Sequence, residues 1–249
     1  SMGTHSFYFY ILMALLGLGV LQGLFMGLVF MVQRGIRARV NIYYGLLLVA
    51  FSLTLLHNIF LLGGLDEYLN WPIYFTLSFP PLLFYFVKLS LYPHYRLRLT
   101  DVKHFILPVG QFLFFIYVFV SQPGLERHFL NPFYGALEQL LYLITFFFYL
   151  YSANKYIQHK SAHRGRNTDL RRVAYMQMLV YIFWVLFFVH TAFILTDFVS
   201  YEFFQVNLRS LKLYVGLGSL SFAVLVYWLG IYGAQSLIWG KKIMERDNS

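Results

Sequence analysis

The chain has 249 residues, of which 59% are hydrophobic, 21% aromatic and only 12% charged, with a formal net charge of +9. A soluble domain is about 45–50% apolar and about 25% charged, and one core of this size cannot hide so much apolar surface. With 28 Phe, 21 Tyr and a mean hydropathy of +0.63, disorder, a collagenous fibre and a simple soluble enzyme are excluded. The absence of Cys removes disulfides, thiolate metal sites and cysteine nucleophiles. The composition is that of an integral membrane protein.

Seven stretches free of Asp, Glu, Lys and Arg follow one another: Ser6–Gln33, Val40–Leu65, Tyr68–Val87, His104–Leu125, Gln139–Asn154, Val173–Thr196 and Leu213–Gly240. A spanning helix needs about 20 mainly apolar residues. The fifth run is short, but it reaches that length when extended back through Glu138 to about Pro132. Continuous runs without period-2 alternation predict helices rather than a barrel. The expected fold is therefore an all-α integral membrane bundle of seven transmembrane helices, occupying residues 6–240. Ser1 before Met2 reads as a remnant of cloning, residues 1–5 as a short extracytoplasmic N-terminus and residues 241–249 as a cytoplasmic tail.

The connecting segments alternate in charge. Arg34, Arg37 and Arg39 lie in the first, and Asp66 and Glu67 in the second. The third holds Lys88, Arg96, Arg98 and Lys103; the fourth, Glu126 and Arg127. Lys155, Lys160, Arg164, Arg166, Arg171 and Arg172 mark the fifth, Glu202, Arg209 and Lys212 the sixth, and Lys241, Lys242 and Arg246 the tail. Odd loops and tail thus carry 16 of the 19 basic residues. The positive-inside rule then puts the N-terminus outside and the C-terminus in the cytoplasm, and an even helix count would destroy the alternation. The basic excess is a topology signal, not one for nucleic acid.

Gly19, Gly23 and Gly27 form a four-residue stripe on the first helix that lets another helix approach closely, either from the same chain or from a second copy in a homodimer. Pro80-Pro81 predicts a bend in the third helix. Trp71 and Trp239 are candidate interface anchors. Lys155–Arg172 reads as a basic connector. Within it His159 and His163 have a spacing that can bind metal on a helix, but basic neighbours and no nearby carboxylate argue against it, and no metal or cofactor is expected.

Ionisable residues within membrane helices are costly and point to function. Topology places His57 and Asn58 in the outer third of helix two. Glu138 and Gln139 fall one to two turns below the outer surface on helix five. His190 and Thr191 lie in the outer third of helix six with Asp197 near the interface, and Arg209 and Lys212 begin helix seven. Four helices therefore bring polar groups to a similar depth, and the expected result is a water-accessible ligand pocket, with Glu138, His190 and Lys212 facing one another. A structural ion pair of Glu138 with Lys212 is the plainer alternative. The mixed sign suits a zwitterionic or amphiphilic small molecule.

The segments Leu15-Leu16-Gly17-Leu18-Gly19-Val20-Leu21-Gln22-Gly23-Leu24-Phe25, Pro81–Lys88, Tyr92-Pro93-His94-Tyr95-Arg96-Leu97-Arg98, Asp101–Pro108 and Val226–Gly233 resemble the seven-helix membrane region of AraC-type regulators of Bacteroidota. The resemblance runs over nearly the whole chain and brings no catalytic residues. It implies a sensory module of the bacterial inner membrane that hands its signal to a cytoplasmic helix-turn-helix domain. Only nine residues follow Gly240, too few for such a domain, so this chain itself is not expected to bind nucleic acid. The reading is a membrane sensor of an extracytoplasmic or membrane-borne small molecule. Alternatives are a small-molecule or lipid transporter, and a membrane metal hydrolase built on His57, His190 and Glu138 or Asp197.

Overall fold

The computed structural model describes residues 2–35, 37–121, 132–163, 165, 170–208 and 212–247; at Met2, His5, 132–134, Lys212 and 236–247 the backbone alone is described. The described residues form helices joined by turns, with no strand. In chain order these are α1 (Met2–Met31), α2 (Ala38–Leu62), α3 (Phe79–Leu91), α4 (Ile106–Ser121), α5 (Pro132–Ala162), α6 (Leu170–Phe204) and α7 (Lys212–Asp247). Short 3-10 turns lie at Asp66–Tyr68, at Thr76–Ser78 just before α3, and at Leu99–Phe105 just before α4. Six stretches among the described residues are long and apolar enough to cross a membrane: α1, α2, Leu99–Ser121 ending in α4, α5, α6 and α7. The chain is a multi-pass, all-α membrane protein.

The outer surface agrees with that solvent. Leu21, Phe25, Val120, Tyr181, Phe188 and Val224 are all more than half exposed, an arrangement that hydrocarbon tolerates and water does not. The interior is aromatic. Phe51 of α2 stacks on Phe79 of α3 with ring centroids 3.9 Å apart, and Phe183 of α6 lies 5.8 Å from Phe51. A second cluster of Leu16, Val20, Leu55, Leu62 and Ala223 joins α1, α2 and α7.

The third apolar run departs from expectation. The chain is non-helical over residues 69–75, and the helix begins only at Thr76 and runs to Leu91. At 16 residues this stretch is about 24 Å long, short of the roughly 30 Å hydrocarbon thickness. The cause is local. Pro80 and Pro81 do not bend a helix; they stand in the first turn of one, where a missing N–H costs nothing. Every residue of α3 is buried, Lys88 included, so α3 is the central post of the bundle, flanked by α2, α5 and α6.

A helix that starts inside the protein leaves backbone N–H groups without water. Two polar side chains meet that need. Thr54 Oγ1 of α2 accepts from Phe75 N at 3.1 Å, and Gln111 Oε1 of α4 accepts from Leu77 N at 3.1 Å.

The other end of α3 is tied to the turn that precedes α4. The Asp101 carboxylate accepts from Tyr85 Oη at 2.7 Å, from Tyr95 Oη at 3.0 and 3.1 Å, and from the Arg98 backbone N at 2.7 Å. The Lys88 ammonium lies 3.9 Å from the centre of the Tyr95 ring. Arg39 and Arg172 donate to the carbonyls of Pro93 and Ser90, so arginines from α2 and α6 hold the last turn of α3 and the chain just beyond it.

The glycine stripe packs within the chain. A Cβ at Gly19 would meet Tyr227 at 3.3 Å, and one at Gly23 would sit 2.0 Å from Ser52 Oγ and 2.6 Å from Val226. One at Gly27 would lie 3.0 Å from the carbonyl oxygen of Gly45. All three positions are therefore taken up by α2 and α7, and the surface expected as an alternative for a second copy is already covered. Several helices also overrun their charge-free runs, α6 among them at Leu170–Phe204. α5 continues through the first part of the expected basic connector to Ala162, and α7 continues through the tail to Asp247.

Candidate functional site

A cavity of about 190 Å³ opens between α2, the segment before α3, α5, α6 and α7. Helical spacing explains who lines it. Glu138 and Tyr142 are four residues apart on α5, as are Val215 and Ser219, and Gly218 and Phe222, on α7; His190, Phe193 and Ile194 follow the i, i+3, i+4 pattern on α6. Asn58 closes one side from α2, and Tyr74 and Thr76 close another from the non-helical stretch and its 3-10 turn.

Gln111 organises one wall. Its Nε2 donates to Thr76 Oγ1 at 3.0 Å and to Glu138 Oε1 at 2.5 Å, while its Oε1 holds Leu77 N. One amide thus couples the start of α3 to the only carboxylate that lines the cavity among the described residues. The opposite wall carries an imidazole. His190 is buried, its Nδ1 lies 2.7 Å from Tyr142 Oη, and its ring packs 4.7 Å from that of Phe222. With Tyr142 donating to Nδ1, the ring proton sits on Nε2. That Nε2 and the hydroxyl of Ser219, both buried, have no hydrogen-bond partner among the described residues. The Tyr214 hydroxyl donates to the carbonyl of Phe193 and ties α7 to α6 across the rim.

Of the residues expected from sequence, Asn58, Glu138, Gln139 and His190 come together around this cavity. His57 does not line it; it is buried behind the wall with its ring 4.8 Å from that of Tyr74. Thr191 turns its hydroxyl to its own helix, donating to Phe187 O at 2.8 Å. Asp197 lies two turns beyond His190 on α6 and is not part of the lining. Arg209 and the side chain of Lys212 lie outside the described residues, and with them the expected meeting of Glu138 and Lys212.

Among the described residues no three His, Asp or Glu side chains converge as metal ligands. The His57, His190 and carboxylate set of the hydrolase alternative is therefore not assembled there. His159 and His163 stack with ring centroids 4.3 Å apart, and His163 Nδ1 lies 3.0 Å from the carbonyl of His159. That pair is a local helix-end contact.

Tyr142, Ser219, Tyr74, Thr76 and Gln111 were not anticipated. Gln111 had a signal, an amide inside the apolar run His104–Leu125, and buried amides must find partners. Comparison with protein-family models, with curated proteins and with solved structures gives no match for this chain.

Proposed function

We propose that the chain is a membrane-embedded sensor module that binds a small, amphiphilic or zwitterionic molecule in the cavity beside Glu138 and His190. The observation that carries this reading is the pair of buried groups at the cavity wall, His190 Nε2 and Ser219 Oγ, that no described residue partners. Leaving such a group unsatisfied costs about 1–3 kcal/mol, and a ligand bearing hydrogen-bonding groups would recover that cost. The Glu138 carboxylate opposite them favours a donor or a cationic group on the same molecule. A bound molecule shifts the helices only by the difference in its affinity for two arrangements. α5, α6 and α7 all border the cavity and all run on to the opposite end of the bundle, so a change in their spacing is the natural output. The resemblance to AraC-type regulators supports a cytoplasmic helix-turn-helix partner domain and a bacterial inner membrane.

The same reading has the chain crossing the bilayer seven times, with its N-terminus outside. Thr76–Leu91 makes the third crossing although it is short, because protein surrounds it and the non-helical stretch before it reaches the cavity at Tyr74, where irregular backbone is tolerated. That interruption also favours a second reading, a small-molecule or lipid transporter, since broken helices mark substrate sites in that class.

The cysteine-free sequence makes topology simple to test. A cysteine replacing Asp66 is expected to react with a membrane-impermeant maleimide in intact spheroplasts, and one inserted after Arg246 only after lysis. The reverse pattern rejects the outside N-terminus, and both on one side rejects seven crossings. For the site, compounds would be screened for thermal stabilisation of the purified protein; saturation at 100 times Kd stabilises by about 2.7 kcal/mol. His190→Phe and Ser219→Val are expected to abolish that gain. Undiminished stabilisation of both variants would place binding elsewhere, and flux of the same compound through proteoliposomes would favour the transporter.

A further inference from the structure

A second concavity, about 280 Å³, lies on the other side of the Thr76–Ser78 turn, between α4 and α5. It exists because α4 rests mainly on the two neighbouring 3-10 turns rather than along a long helix. Its sides are apolar, with Pro81 on α3, Leu107 on α4 and Phe148 on α5. Apart from Thr145, whose hydroxyl donates to the Leu141 carbonyl of its own helix, its polar groups gather at one end, where Lys103 and His104 of the turn before α4 meet Tyr149 of α5. The Tyr149 hydroxyl lies 2.6 Å from His104 Nδ1. With Tyr149 donating, the imidazole keeps Nε2–H to offer to an acceptor.

Charge at that end is unbalanced. The nearby carboxylate, Asp101, is engaged by two tyrosine hydroxyls and the Arg98 N–H, and Lys88 is buried over the Tyr95 ring. Lys103 is exposed. The concavity is therefore a short apolar channel on a surface that hydrocarbon covers, with a cation and a hydrogen-bond donor at the level where Leu99–Phe105 leaves the apolar stretch.

We propose that this groove holds one acyl chain of an anionic phospholipid, with the lipid phosphate against Lys103 and His104. The groove runs along α5 from Ile144 to Tyr149, about 7.5 Å at the helical rise, enough to grip the first methylenes below the glycerol. The apolar walls take the chain of any lipid; the lysine provides the preference for a net negative headgroup. This site is independent of the cavity proposed for sensing.

The test uses the full chain, purified in detergent and stripped of lipid, then offered dimyristoyl phosphatidylglycerol or dimyristoyl phosphatidylcholine. Native mass spectrometry counts the retained lipid. One basic residue beside an anionic lipid supports about a fivefold preference, so phosphatidylglycerol is expected to be retained about five times more strongly. Lys103→Gln, an exposed change that leaves the core untouched, should bring it down to the phosphatidylcholine level. Leu107→Trp, which fills the channel from an exposed position of α4, should lower retention of both lipids. Equal retention of the two lipids by the unaltered protein would overturn the proposal. So would a preference that survives Lys103→Gln, or retention that Leu107→Trp leaves unchanged.

Discussion

Replacing Asp101 by Ala is expected to destabilise the protein by about 3 kcal/mol, among the largest effects of any single polar substitution in this chain. The carboxylate is 8% exposed and accepts from Tyr85, Tyr95 and the Arg98 backbone. A hydrogen bond to a charged group contributes about 1.5–3 kcal/mol, and removing the acceptor leaves the buried Tyr85 hydroxyl to bear its full desolvation cost. Lys88, partly balanced by Asp101 and resting on Tyr95, would lose the charge opposite it as well. The effects overlap because all three donors use one residue, so they do not simply add. Thermal unfolding in a single detergent would measure the difference, with Tyr95→Phe as the graded comparison. That variant removes one donor at the partly solvated edge and should lose about 1 kcal/mol. If Asp101→Ala unfolds within a degree of the unaltered protein, the tie between α3 and the turn before α4 is not a structural anchor.

Much of this architecture is legible before any coordinates. Charge-free runs locate the six long helices, though α5, α6 and α7 continue well past them, because in hydrocarbon the backbone must be satisfied internally and charged side chains are excluded. α5 begins at Pro132, where the length requirement had put it. Grouping is legible too: Asn58, Glu138, Gln139 and His190 line one cavity.

What depth cannot supply is azimuth. Successive residues on a helix point about 100° apart: Glu138 and Gln139 both border the cavity, whereas Asn58 and His190 border it and their neighbours His57 and Thr191 do not. The choice depends on neighbours contributed by other helices. Tyr142 and Ser219 escape notice for a different reason. A tyrosine among 21, or a serine between Gly218 and Leu220, carries no local mark of function. The late start of α3 is hidden by hydropathy, which treats Leu69–Phe75 and α3 as one apolar run, although Pro72 and the Pro80-Pro81 pair break it.

The second large effect tests how that broken run is held. Gln111→Met keeps the side-chain volume but removes every hydrogen bond the amide makes. Leu77 N would lose its acceptor, and Thr76 and Glu138 would lose their shared donor. Gln111 is buried, so water cannot take its place without opening the bundle. The expected loss is about 3 kcal/mol, the upper end of the penalty for a buried unsatisfied donor. Thr54→Val removes a single bond, the acceptor for Phe75 N, and should lose about 1 kcal/mol. Both changes act on the same helix start, so the double variant is expected to fall short of the sum; contacts in one network couple in this way. The ordering is what matters. If Thr54→Val is the more damaging of the two, or if Gln111→Met leaves the melting temperature unchanged, the first turn of α3 is satisfied by some other route. The wall that Gln111 builds between the polar cavity and the lipid-facing groove would then not depend on it.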